Sequence, residues 1–218
     1  MRREPYLTDE NRRSIVAGWL TDLTDLRGRR PLPAFSRPGL LVLDAQRLFA
    51  DPASPAFLPA WPACRPVVDA LLATFRGKHL PVWFTRHVHD ATDLPTPFRH
   101  FYDRPIRPDD PLAELPAELV GDNEVYAKND FSAWSRHELA KKMSACDLLV
   151  LVGMQTPLCV AATAIAAAAH QVTPVAIVDG CAAPDERTHL AALRTLGAGH
   201  AFVLTGDELL VSLSERRP

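Results

Sequence analysis

Apolar positions in this chain follow two rhythms, and the switch between them predicts its architecture. Between residues 9 and 26, Ile15, Val16, Trp19, Leu20, Leu23 and Leu26 recur at helical spacing and line one side of a predicted amphipathic helix, with Thr8 or Asp9 as N-cap. Residues 27–38, with Gly28 and several prolines, read as a linker. From Pro38 the rhythm changes to short, unbroken apolar runs: 40–43, 80–85, 125–127, 148–152, 175–178 and 201–204. Helical patterns near 62–76, from about Leu158, over 186–196 and over 206–213 separate several of these runs. Strands that are apolar on both sides, alternating with helices, predict an open parallel sheet covered on both faces. The chain therefore divides into an N-terminal helix and linker, 1–37, and one α/β domain, 38–218.

The stretch from His87 to Gly121 breaks this alternation. It is rich in proline and carries Phe98, Phe101 and Tyr102, which predicts a lid or binding loop. Trp83, Phe98, Phe101, Tyr102 and Trp134 are candidate pocket walls, suited to an apolar or planar group.

Composition narrows the partners. The 218 residues are 47% hydrophobic, enough for one packed core, and the formal net charge is −2 with acids and bases mixed. No basic stripe for nucleic acid and no polybasic arm for a membrane is present. The four cysteines are dispersed without a CxxC pair, and the charged start is not followed by a signal-like apolar segment. These features predict a cytoplasmic protein acting on a small molecule.

Ligands of open parallel sheets bind beyond the carboxyl ends of the strands, so the residues just past each run are the candidates for chemistry. Asp44 and Gln46 follow the first run, Lys128 the third, and the segment 153–164, GMQTPLCVAATA, the fourth. Taken singly, the aspartate is a loop acceptor, the lysine a surface residue and Cys159 core filler. Taken together they compose a hydrolytic site. A thiol in the first turn of a helix meets the positive end of the macrodipole, which is expected to lower its pKa. A carboxylate takes its proton, a lysine orients that carboxylate, and backbone amides receive an oxyanion. Cys64, Cys146 and Cys181 are expected to be packing residues.

The segments LVLDAQRLF at 41–49, AKNDFSAW at 127–134 and VGMQTPLCVAATA at 152–164 resemble the three signatures of the isochorismatase-like, or cysteine hydrolase, superfamily. The resemblance spans roughly 38–210. It implies a three-layer fold with a six-stranded parallel sheet, and a triad of Asp44 as base, Lys128 as its electrostatic partner and Cys159 as nucleophile. It also implies a cis peptide at Met154–Gln155, aiming Gln155 and neighbouring amides at the substrate carbonyl. Met154, Gln155, Gln46, Trp134 and Phe101 are the expected substrate contacts.

The chain departs from the family pattern at Ile165, where Arg is common, and at Pro157, where Asp or His is common. Nicotinamidases of the superfamily bind a metal through Asp-x-His with a further histidine. Here 84–90 reads FTRHVHD, with Thr85 or Arg86 in place of the aspartate, so neither metal nor other cofactor is expected despite His87, His89 and His100. The expected activity is cleavage of an amide or carbamoyl C–N bond through a thioester. The alternatives are isochorismatase-type vinyl-ether hydrolysis, with Asp44 as acid, and a non-catalytic binding protein on the same fold. Association into a homo-oligomer is expected, with an exposed Trp19 as a candidate contact.

Overall fold

The computed structural model describes residues 3–27, 31–89 and 104–215. Helices α1 (Arg12–Asp22) and α2 (Thr24–Arg27) lead to strand β1 (Pro38–Leu43), a short helix α3 (Arg47–Ala50) and the long α4 (Trp61–Gly77). Strand β2 (Val82–His87), helix α5 (Ala117–Val120), strand β3 (Glu124–Lys128) and helix α6 (His137–Met143) follow. The second half runs β4 (Leu148–Met154), α7 (Ala161–Ala169), β5 (Thr173–Ala182), α8 (Glu186–Gly199), β6 (Phe202–Leu204) and α9 (Gly206–Ser214).

All six strands are parallel, in the order β3-β2-β1-β4-β5-β6. The chain first winds outward from β1 to β3, then restarts at β4 and winds the other way, so β1 and β4 flank the switch point where such sheets form clefts. The two strands at that point are buried along their whole length. Their continuous Leu and Val runs are what a strand needs when both its faces lie under helices. Helix α4 packs with α9 over β5, and α7 packs with α8 against the same sheet. On α4, Cys64, Val68, Leu71, Leu72 and Phe75 are buried, the three- and four-residue spacing of an inward stripe.

The observed elements differ from the expected ones in informative places. The N-terminal helix is two pieces, because the chain turns at Leu23, whose side chain is fully buried. Asn11, not Thr8 or Asp9, precedes its first turn, and Thr8 and Asn11 bond each other's backbone amides through their side chains. Strand β2 begins at Val82, beyond Pro81, since proline has no N–H for the ladder. Trp19 is not exposed: it is 2% accessible, and its indole N–H donates to Glu186 at 2.7 Å. It is therefore core, and any contact between copies must use another surface. Trp83 is core as well, lying against Gly39 at the amino end of β1. Among the described residues, no helix is long and apolar enough to cross a membrane.

Candidate active site

Side chains that follow or end β1, β4 and the edge strand β3 converge beside the switch point. Asp44 follows β1 with φ +49°, a left-handed conformation that aspartate tolerates better than most residues and that turns its carboxylate off the strand line. Lys128 ends β3 and reaches inward, with Nζ 2.8 Å from Asp44 Oδ2 and 3.2 Å from Cys159 Sγ. Its third contact is donation to the Asp130 carbonyl at 3.0 Å. All three side chains are buried: Asp44 0%, Lys128 1% and Cys159 5% accessible.

The segment that carries Cys159 is shaped by its glycine. Gly153 has φ +111° and pairs with Leu43, and a Cβ there would lie 2.1 Å from the Leu43 carbonyl oxygen. Only glycine fits this close approach of β4 to β1. The Met154–Gln155 peptide is cis. A single π turn, Thr156–Val160, with Pro157 in its first positions, then leads into α7. Within the turn the Gln155 carbonyl accepts from the Leu158 and Val160 amides at 3.0 and 3.2 Å.

The electrostatics correct one expectation. The Cys159 thiol is pushed up, not down: burial contributes most, the Asp44 carboxylate adds to it, and the Lys128 ammonium opposes both without outweighing them. For Lys128, burial favours the neutral amine, yet the attraction of Asp44 and of the thiol group outweighs it and raises the pKa. Asp44 and Lys128 form a buried ion pair, with the Cys159 sulfur beside the same ammonium.

Thr85, which sequence reasoning did not place in the site, orients Asp44. Its hydroxyl donates to Asp44 Oδ1 at 2.8 Å, and its carbonyl accepts from the Asp44 amide at 3.1 Å. Oδ2 faces Lys128 as an ion pair without an aligned hydrogen bond, which leaves it capacity to accept a proton. The only sequence signal was a hydroxyl near the end of an otherwise apolar strand.

The other expected contacts divide. Met154 and Gln155 adjoin the nucleophile turn, and Gln155 is half-buried. Gln46 is fully buried and bound to backbone: its amide donates to the His87 and Ala113 carbonyls at 3.0 and 3.3 Å and accepts from the His87 N–H at 2.6 Å. It holds the end of β2 in place. Trp134 stacks on His170, with ring centroids 4.4 Å apart, eleven residues past Cys159 or roughly 16 Å along a helix axis. Phe98, His100, Phe101 and Tyr102 lie outside the described residues.

One member of the metal pattern of nicotinamidases is replaced. Thr85 stands in the aspartate's place and directs its hydroxyl to Asp44. The Nε2 atoms of His87 and His89 face each other at 3.2 Å, and His89 Nδ1 accepts from the Ile106 N–H at 2.9 Å. Burial and the Lys128 charge lower the His87 pKa to about 4, so its ring is neutral. Among the described residues, no group of three or more metal-ligating side chains is close enough to hold an ion.

A family model described as the isochorismatase domain matches residues 38–208. The chain belongs to the isochorismatase family. This isochorismatase-family hydrolase is 26% identical over 184 residues to Nicotinamidase 3 of Arabidopsis thaliana, covering 80% of this chain and 87% of that one. Its fold is similar to a cysteine hydrolase from Pseudomonas syringae, with a TM-score of 0.77 at 20% identity, over 85% of this chain and 98% of the other. It is also similar to the pyrazinamidase/nicotinamidase of Streptococcus mutans, with a TM-score of 0.67 at 18% identity, over 77% and 99%. At these identities the solved structures speak to the fold alone.

Proposed function

We propose that this family member hydrolyses an amide or carbamoyl C–N bond of a small molecule through a thioester on Cys159. The observation that carries the reading is the position of Lys128 Nζ, 2.8 Å from the Asp44 carboxylate and 3.2 Å from the Cys159 sulfur. Likeness to a protein named nicotinamidase supports it.

Asp44 Oδ2 takes the thiol proton as sulfur attacks the carbonyl carbon, and Lys128 turns from carboxylate to thiolate as counter-ion. The oxyanion that forms is received by backbone N–H groups beside the sulfur, that of Cys159 among them. Collapse breaks the C–N bond, and the protonated Asp44 returns its proton to the departing nitrogen, leaving a thioester. Asp44 then takes a proton from water, hydroxide adds to the thioester, and the acid leaves with the thiol reprotonated. No step uses a metal.

The test is a panel of primary amides, ureido acids and isochorismate, scored for ammonia and pyruvate release before and after thiol alkylation. Ammonia release abolished by alkylation is the expected result. Pyruvate release from isochorismate that survives alkylation would instead make Asp44 an acid for vinyl-ether cleavage and Cys159 a bystander.

A further inference from the structure

One buried polar group behind the nucleophile turn takes no part in the reaction above. His189, on α8, is fully buried and makes two hydrogen bonds. Nε2 lies 3.1 Å from the Val178 carbonyl, which can only accept, so Nε2 carries the ring proton. Nδ1 therefore accepts, and its partner is the hydroxyl of Thr156 at 2.9 Å. Thr156 is the first residue of the π turn that ends at Cys159 and Val160. Burial lowers the His189 pKa to about 4, so the ring keeps this neutral, single-tautomer form at ordinary pH.

The other side of the imidazole is closed by the N-terminal segment. Trp19 packs on the ring at a centroid distance of 4.8 Å and Tyr6 at 5.8 Å. Both are pinned to the domain, Trp19 through Glu186 in the first turn of α8, and Tyr6 through its hydroxyl, which accepts from the Ala183 N–H at 3.0 Å. These residues precede the matched isochorismatase domain, which starts at residue 38.

We propose that His189 is a positioning residue for Cys159, acting through Thr156, and that the N-terminal segment shelters this link through Trp19 and Tyr6. The proposal rests on Cys159 being the reactive thiol. A hydroxyl fixed to a neutral imidazole holds the start of the turn in one rotamer, and the turn sets where sulfur sits against Asp44 and Lys128. Sub-ångström misplacement of a reacting atom is costly, so support of this kind has kinetic weight.

The test is the rate of Cys159 alkylation by iodoacetamide, followed by mass of the Cys159 peptide, which needs no substrate. Thr156→Val and His189→Leu are each expected to change that rate at least tenfold in the same direction. The double variant is expected to go no further, because both remove one link. Thr156→Ser and His189→Gln, which keep an O–H donor and an amide that can bridge both partners, stay within threefold of wild type. Leu193→Ala, a core change on the same helix, lowers the urea midpoint but leaves the alkylation rate unchanged. Trp19→Leu falls between wild type and His189→Leu. Folded Thr156→Val with a wild-type rate overturns the proposal, and a wild-type rate in Trp19→Leu overturns its N-terminal half. If Cys159→Ala keeps turnover, the nucleophile assignment fails, while the alkylation series still decides the positioning claim.

Discussion

Gly153 and Thr85 are where single atoms decide the site. A methyl at 153 would meet the Leu43 carbonyl at 2.1 Å in a backbone conformation that side chains rarely adopt. Gly153→Ala is accordingly expected to cost more than about 2 kcal/mol, read as a fall in the urea midpoint with unchanged slope. Thr85→Val keeps the shape but removes the bond that orients Asp44. It should lower kcat about tenfold with little change in KM, the mark of an interaction that matters in the transition state. Lys128→Met leaves the Asp44 charge buried without its partner, at a cost of about 3 to 5 kcal/mol, and a stability no lower than wild type would show the pair to be dispensable. At this scale Asp44, Lys128 and Cys159 were legible in the sequence, because each follows an apolar run within a recognisable motif. Thr85 and His189 were not, since their partners lie 41 and 33 positions away and a lone hydroxyl or imidazole carries no spacing signal.

At the scale of elements, the strands were legible because burial on both faces demands unbroken apolar runs, as at Leu40–Leu43 and Leu148–Val152. Shorter features escaped. The break at Leu23, the π turn at Thr156–Val160 and the four-residue helices α3 and α5 depend on tertiary contacts that no local pattern reports. Buried neutral histidines in two of these layers predict a pH dependence. His87, at the end of β2, and His189, on α8, both have folded pKa values near 4, below the ordinary 6.5, so the unfolded chain binds more protons in between. Stability should hold above pH 6.5 and fall as the pH drops towards 4, with a slope of at most roughly 1.4 kcal/mol per pH unit for each histidine. Urea midpoints measured across that window check the sign, and His189→Gln should flatten the slope.

The molecule as a whole is a sheet with its chemistry at the switch point and an N-terminal segment packed into the same core. Leu7, Trp19 and Leu23 are buried in that core beside domain residues. Trp19→Ala is therefore expected to cost about 3 to 5 kcal/mol, as for any large core side chain, and a change within about 0.5 kcal/mol would show the segment to be a detachable arm. At the boundary expected from the proline-rich linker, the backbone amides of Ser36 and Arg37 donate to the Asp147 carboxylate just before β4.

The most direct test of the account is intact-mass spectrometry of the protein during turnover of an amide that releases ammonia. A covalent adduct equal to the acyl group should appear on wild type, localise to Cys159, and vanish together with ammonia release in Cys159→Ala. Undiminished turnover by the Cys159→Ala protein would contradict the account.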